Sequence, residues 1–292
     1  MWYLLLLLVS ASADVYTTPQ HAAFLRHHLQ PVHPVTLPEL DSIMQQEWDH
    51  LRSKCPSIDS HPKISVDFDG NLNGTNTLAW ASQTLYLGFG NTWTTTLLQD
   101  LYTPASYDFR IGVNPSVTNG WYTGTDCQGI GYRYDLRTVL RHELLHGLVL
   151  GGSLRYNGGW SVGFDFLGTC YPTLFDTKIT NGAGDYVVDG CGLLNIDNQP
   201  LYLNGVKLYN PYYKADGFSI SHHDHPGKLM YYAIDSSTCL DLQHEEAQML
   251  QAFGISCTVG NVTYGSASMA QTSWWALGAV VLCFLFNTHN PT

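Results

Sequence analysis

The segment His142-Glu143-Leu144-Leu145-His146 constrains the fold of this chain more than any other, because its spacing suits a metal site on one helix. Histidines four residues apart lie on the same helical face, so both can bind one ion. Glu143 then lies beside that ion, where it can hold a metal-bound water and accept its proton. The segment predicts a Zn²⁺ site with a general base; the alternative is two surface histidines beside an acid that forms a salt bridge.

The residues around this segment predict the helix that carries it. Asp135 can cap a helix over residues 135–150, in which apolar residues recur at intervals of three and four. The same periodicity predicts helices over 37–55 and 241–253, and Asn204-Gly205 predicts a hairpin turn. Alternating or apolar runs predict strands in three further stretches: 63–68, 78–87 and 109–113.

The composition excludes two classes of protein. The 292 residues carry a net charge of −11 with only 13 Lys plus Arg, so the chain lacks the basic footprint that nucleic-acid binding requires. Aromatic residues make up 13% and hydrophobic residues 45%, which is too many for a disordered chain and enough for a sizeable core. We therefore expect a folded protein that does not bind nucleic acid.

The N-terminal residues have the composition of a targeting signal. Residues 1–13 are a short apolar run that ends in small residues, which predicts a signal peptide cut before Asp14. Residues 14–60 are interpreted as an N-terminal or pro-like segment, flexible over 14–36, where His and Pro are frequent without periodicity. The sequence leaves open whether this segment is removed. The main domain is predicted to span 61–258.

The C-terminal residues predict a processing signal as well. Residues 259–273 are interpreted as a linker that contains a GPI-attachment site, because small residues precede an apolar run there. The tail, 274–292, has too short an apolar run to span a bilayer, which needs ~20 residues. The alternatives are a short membrane-associated tail and a packed core segment. Contact with a membrane is expected only through this anchor or tail.

The cysteines indicate the same secretory route. Of seven cysteines Cys283 lies in the tail, and the remaining six can form three disulfides whose pairing the sequence does not determine. Asn73 and Asn261 each begin an N-glycosylation sequon. The sequence therefore predicts a secreted, disulfide-bonded glycoprotein.

A catalytic zinc site needs a third protein ligand. The densest cluster of candidates is Ser221-His222-His223-Asp224-His225, which lies well downstream of the helix. Leu229-Met230 follows it closely. Other candidates for the third ligand are scattered along the chain: Asp165, His244, Glu245 and Glu246.

This set of motifs resembles that of the metzincin zinc metalloproteases. The set consists of the two helix histidines with their glutamate, a long insertion, a Ser-His-x-Asp segment and Leu-Met. The resemblance is to the leishmanolysin-like branch and to related secreted proteases with a long insertion before the third histidine ligand. It extends over residues 60–257 and includes 109–116, 134–139 and 217–222. It implies an α+β fold with two lobes, a mixed sheet, an active-site helix and a Met-turn.

The resemblance also implies roles for individual residues. His142, His146 and His222 match the metal ligands, with His223 and His225 as alternatives for the third, and Glu143 matches the general base. Met230 matches the Met-turn residue, which is not a ligand, and Phe109–Asn114 matches the edge strand that pairs with an extended substrate. Tyr232, by similarity to the astacin and serralysin types, matches a hydrogen-bond donor to the oxyanion. The alternative for Tyr232 is simple packing.

One residue differs from the family pattern, and one cysteine has two interpretations. Val149 stands where the family has glycine, so the helix is expected to continue by about half a turn and end at Gly151. Cys55 is either an inhibitory thiolate of a latent form, as propeptide cysteines are in some relatives, or a disulfide partner, which is the default expectation.

We expect a secreted or cell-surface zinc metalloendopeptidase that acts on proteins or peptides. The alternative from another class is a catalytically inactive surface recognition or adhesion protein on a metzincin fold, and a third interpretation is a non-proteolytic zinc hydrolase. The retained Glu143 argues against the inactive alternative.

Overall fold

The computed structural model describes residues 12–16, 34–58, 62–87, 92–95, 107–156, 159–166, 168–193, 196, 199–210 and 220–264. Most of the predicted signal peptide, the whole predicted tail and Cys283 lie outside these ranges. Within them, the chain has a mixed α+β fold of three helices and many short strands. No helix in the described ranges is both long and apolar enough to cross a bilayer.

The helices lie close to their predicted positions. They are α1 (Leu37–Lys54), α2 (Leu136–Leu148) and α3 (His244–Gln251). The strands, numbered along the chain, are β1 (Ser12–Tyr16), β2 (Ile64–Phe68), β3 (Thr77–Gln83), β4 (Leu85–Leu87), β5 (Trp93–Thr95), β6 (Phe109–Val113), β7 (Trp121–Tyr122), β8 (Tyr134–Asp135), β9 (Arg155–Tyr156), β10 (Trp160–Ser161), β11 (Phe164–Phe166), β12 (Thr169–Tyr171), β13 (Ile179–Asn181), β14 (Val188–Asp189), β15 (Gly192–Leu193), β16 (Leu201–Leu203), β17 (Val206–Lys207), β18 (Cys257–Val259) and β19 (Val262–Tyr264).

The largest sheet is mixed and has the strand order β1-β3-β6-β2. Strand β6 pairs in parallel with β2 and antiparallel with β3. The prediction that Phe109–Asn114 forms an edge strand is therefore wrong, because both edges of β6 already have a partner. The order of strands in space depends on long-range pairing, which the order along the chain does not determine.

Strand β1 borders β3 on its other side. The two strands are antiparallel, with Ser12 opposite Ser82 and Tyr16 opposite Thr77. The expectation of a flexible segment over 14–36 is thus wrong for residues 14–16. A strand added to a sheet edge is held by backbone hydrogen bonds, so it does not need the side-chain periodicity that was absent there.

Helix α2 packs closely against the main sheet. A Cβ atom at Gly147 would overlap the ring of Phe109, so only glycine allows this approach of α2 to β6. Phe109 itself is completely buried. This contact could not be predicted from the sequence, because it joins a helix and a strand that are distant along the chain.

Helix α1 belongs to the same core, although its residues fall in the predicted pro-like segment. Its Glu47 carboxylate is buried and forms ion pairs with Arg137 (2.6 Å) and Arg141 of α2. One face of α1 is buried in the core through five apolar side chains: Leu40, Ile43, Met44, Trp48 and Leu51. Removal of α1 would therefore expose apolar surface and leave two arginines without their acid.

Three disulfides join distant segments, as the cysteine count predicted. They are Cys55–Cys257, Cys127–Cys239 and Cys170–Cys191. The first links the end of α1 to β18. The hypothesis that Cys55 is an inhibitory thiolate is therefore wrong, and its default expectation as a disulfide partner is confirmed.

The predicted Asn204-Gly205 hairpin joins β16 to β17. Both residues have positive φ, 48° and 83°, as a two-residue turn of this type requires. The chain that leaves β17 then runs beside the segment that carries the histidine cluster: the N–H of Tyr209 donates to the carbonyl of His222 over 2.8 Å. This pairing positions the cluster.

Candidate metal centre

Helix α2 begins at the predicted cap. The Asp135 carboxylate accepts hydrogen bonds from the N–H (3.0 Å) and the hydroxyl (2.6 Å) of Thr138. This cap fixes the start of the helix, so His142 and His146 lie one turn apart on the same face. Both side chains are almost completely enclosed by protein, since His142 is 0% and His146 is 2% exposed.

The helix ends earlier than predicted. Its last residue is Leu148, and Val149 donates its N–H to Leu145 while its own φ of −165° is extended. The prediction of an end at Gly151 is wrong, because the chain leaves the helix at Val149, whose φ is negative, and needs no left-handed glycine at this point. The resulting turn places the carbonyl of Leu150 2.5 Å from Nδ1 of His146.

Three histidine rings meet at one point. The Nε2 atoms of His142 and His146 lie 2.9 Å apart, and each lies 3.2 Å from Nε2 of His222. His222 is completely buried. These three side chains are a group that could hold a metal ion among the described residues.

The hydrogen bonds of the first two rings fix which nitrogen can bind a metal. Nδ1 of His142 donates to the carbonyl of Leu229 over 2.6 Å, and Nδ1 of His146 donates to Leu150. A neutral imidazole that donates from Nδ1 keeps its lone pair on Nε2. The two lone pairs therefore point toward each other at close range, which is repulsive unless a cation lies between them.

The dimensions of the group suit a small tetrahedral cation. Zinc binds histidine nitrogen at about 2.0–2.1 Å, which places two nitrogens of a tetrahedral site about 3.3 Å apart. The observed separations of 2.9–3.2 Å lie close to that value. The carbonyl acceptors on Nδ1 are the outer partners that normally orient metal-binding histidines.

Burial keeps these rings in the form that binds metal. It lowers the pKa of His146 to about 4, against a weaker opposing effect of the Leu150 carbonyl. Burial, and then the charge of His146, lower the pKa of His142 well below its usual range. Both rings are therefore neutral near neutral pH, so no proton competes with a metal there.

Glu143 lies next to His142 on α2 and is also completely buried. A carboxylate here is adjacent in sequence to one member of the histidine group and shares its enclosed surroundings. Its role as general base stays a prediction.

The neighbours of His222 have other partners. His223 is completely buried, and its Nε2 lies 2.9 Å from Oε1 of Glu246 on α3. The His225 ring is about half exposed and faces Glu245 at 4.0 Å. The structure thus brings His222, and neither of the two alternative histidines, into the group with His142 and His146.

The segment Leu229-Met230 lies directly against the site. Leu229 supplies the carbonyl that orients His142, and Met230 is completely buried. The N–H of His223 donates to the carbonyl of Met230 over 3.1 Å. The turn thus contacts His142 of the metal group and His223, the neighbour of His222, which is consistent with the position predicted for Met230. Its assignment as a Met-turn residue stays a prediction.

Tyr232 lies in a cluster of tyrosines. Its ring stacks on that of Tyr209, with centroids 4.4 Å apart, and lies 4.5 Å from that of Tyr231. Burial, followed by hydrogen bonding to Tyr232, raises the pKa of both neighbours. The proposed donation from its hydroxyl to an oxyanion stays a prediction.

Sequence reasoning considered Glu246 only as a third metal ligand and missed its contact with His223. The available signal was the capping box, in which the N-cap Gln243 is followed three residues later by Glu246. Another candidate for the third ligand, Asp165, is exposed in β11.

Comparisons with models of protein families, with curated proteins and with solved structures find no match for this chain. The site is therefore interpreted from its own geometry and chemistry.

Proposed function

We propose that this protein is a zinc-dependent metalloendopeptidase. The observation that carries the proposal is the buried group His142, His146 and His222 with Glu143 on the same helix. Three protein ligands, which would leave the fourth position of a tetrahedral zinc to water or substrate, are typical of a catalytic rather than a structural zinc site. The resemblance of the motif set to the two-lobed metzincin proteases supports the same assignment.

The choice of ligands has a direct chemical consequence. Three neutral imidazoles leave the full positive charge of a bound ion uncompensated, and a bound Zn²⁺ would polarise the scissile carbonyl and acidify a water. The hydrogen bonds from Nδ1 of His142 and His146 hold the rings in the required tautomer.

Glu143 performs the proton transfers in this proposal. Its carboxylate accepts a proton from the attacking water and later delivers it to the nitrogen of the leaving amine. Enclosure strengthens its electrostatic interaction with the site, because the side chain is 0% exposed and bulk water does not screen it. The substrate is a protein or peptide that lies in extended form across the site.

We place the enzyme outside the cytosol, secreted or at the cell surface. Three disulfides support an oxidising compartment. Asn73 and Asn261, the two predicted glycosylation sites, are both exposed. A signal peptide over residues 1–13, whose cleavage would leave Asp14–Tyr16 of β1 in the sheet, and a GPI anchor attached within 259–273 complete this proposal.

The test compares the wild-type protein with Glu143→Gln in a casein cleavage assay, with chelator and after zinc is restored. We expect cleavage that the chelator abolishes and zinc restores. Glu143→Gln should keep its zinc and lose about 10²–10⁴-fold in rate, the usual contribution of a general base.

Glu245→Gln is the control, because Glu245 pairs with Lys228 and is not part of the histidine group. A wild-type protein that binds zinc but cleaves nothing would favour the inactive recognition protein. Near-normal turnover of Glu143→Gln would show that this residue is not the base.

A further inference from the structure

Glu246, in the first turn of α3, gathers three hydrogen-bond donors in the interior. Its Oε1 accepts from Nε2 of His223 (2.9 Å) and from the N–H of Met230 (3.1 Å). Its Oε2 accepts from the N–H of Gln243 over 3.0 Å and completes the capping box of the helix. The side chain is 0% exposed, so this carboxylate depends on these donors in place of water.

The tautomer of His223 follows from its other hydrogen bond. Nδ1 accepts from the N–H of His225 over 3.2 Å, so in the neutral ring Nε2 carries the proton and donates it to Glu246. His223 is thus oriented from both nitrogens. Its ring points to α3, which turns the preceding residue, His222, toward α2.

The contact of Glu246 with Met230 extends to the second side of the metal centre. Met230 follows Leu229, whose carbonyl accepts from Nδ1 of His142. The N–H of His223 donates to the carbonyl of Met230, so the two segments that Glu246 contacts are also bonded to each other. A single carboxylate therefore contacts both the segment that carries His222 and the turn whose Leu229 carbonyl orients His142.

We propose that Glu246 is a positioning residue for the metal centre, which it holds in place from α3 through His223 and Met230 without binding the metal. This inference rests on the metal site of the proposed function. A helix cap alone would require only Oε2 and Gln243; the two donors on Oε1 belong to the segments that border the histidine group.

Glu246→Gln is the sharpest substitution, because it keeps the shape and one acceptor oxygen but turns an NH₂ group toward backbone or ring donors. Loss of a hydrogen-bond partner of a metal ligand typically weakens metal binding about 10- to 100-fold, and Glu246 acts on two such ligands, His222 and His142, through His223 and Met230. Glu245→Gln is the matched control from the adjacent position, since Glu245 forms an ion pair with Lys228 and not with the buried segments.

The experiment measures zinc affinity of the full chain by competition with a chromophoric chelator, and the visible spectrum of the Co²⁺-substituted protein. Circular dichroism and urea unfolding establish how much of each variant is folded. We expect Glu246→Gln to bind zinc about 10- to 100-fold more weakly with an altered Co²⁺ spectrum, and Glu245→Gln to match the wild type.

A folded Glu246→Gln with wild-type affinity and spectrum would overturn the inference, since a merely structural role lowers stability and leaves the folded site unchanged. If Glu246→Gln does not fold, His223→Gln cuts the same link from the other side and should weaken zinc binding at least tenfold; unchanged affinity there would also overturn it. A wild-type protein that binds no metal would instead contradict the proposed function itself.

Discussion

Acidification of the metal-free protein should reduce its stability more than it reduces that of a variant without His146. Burial lowers the pKa of His146 from an ordinary value near 6.5 to about 4. Between these values the unfolded chain binds a proton that the folded chain does not, so the free energy of unfolding falls as the pH falls. Above the unfolded pKa both states are neutral at this residue, and its effect vanishes.

The magnitude follows from the size of the shift. A shift of one pKa unit corresponds to about 1.36 kcal/mol. Proton uptake at His146 in the unfolded chain should therefore lower the free energy of unfolding by about 2.5 kcal/mol as the pH falls from about 7.5 to about 4.5. His142, whose pKa is also lowered by burial, acts in the same direction. Bound metal should not remove the effect, because metal-bound rings also take up no proton in the folded state while the unfolded chain does.

The assay is urea unfolding in the presence of chelator over this pH range, for the wild type and His146→Gln. The difference in unfolding free energy between the two should change by about 2.5 kcal/mol from the neutral to the acid end. His225→Gln is the control, since His225 is about half exposed and lies outside the enclosed histidine group. Parallel curves for the wild type and His146→Gln would refute the enclosed, neutral His146 on which the site depends.

Three substitutions test other contacts. Glu47→Gln should destabilise the protein by about 3–5 kcal/mol in urea unfolding, because two arginines of α2 lose a buried charge partner. Asp49→Asn, at an exposed position on the same helix, is the control and should cost little. Equal effects of the two substitutions would contradict the buried ion pairs of Glu47. Gly147→Ala should cost about 1–3 kcal/mol by overlap with Phe109, and a neutral or stabilising result in thermal unfolding would contradict this packing. Tyr232→Phe keeps its ring and, if its hydroxyl stabilises the oxyanion, lowers turnover about 10²–10³-fold at unchanged zinc content; unchanged turnover would assign Tyr232 to packing.

The helices and β6 could be predicted from sequence because their signals are local. Side-chain periodicity and the Asp135 cap located α2, and a predicted strand at 109–113 coincides with β6. The position of β6 inside the sheet could not be predicted, since it depends on pairing with β2 and β3 across long stretches of chain. The same reason applies to β1, which has no periodic pattern of its own.

The histidine group was predictable in part. The spacing of His142 and His146 on a helix fixes their common face, so two members followed from the sequence alone. The sequence did not determine which of His222, His223 and His225 joins them, because neighbouring side chains of an extended segment point in opposite directions. In the structure His223 contacts Glu246 on α3, while His222 joins the two histidines of α2.

Metal stoichiometry tests the central claim most directly. Purified wild-type protein, His222→Gln and His225→Gln would be equilibrated with Zn²⁺, dialysed and analysed for bound metal. We predict about one zinc per chain in the wild type and in His225→Gln, and loss of most of the metal in His222→Gln, because three protein ligands are needed to hold a catalytic zinc. A wild-type protein without stoichiometric zinc, or a His222→Gln variant that binds it as tightly as the wild type, would contradict the claim that His142, His146 and His222 form the metal centre.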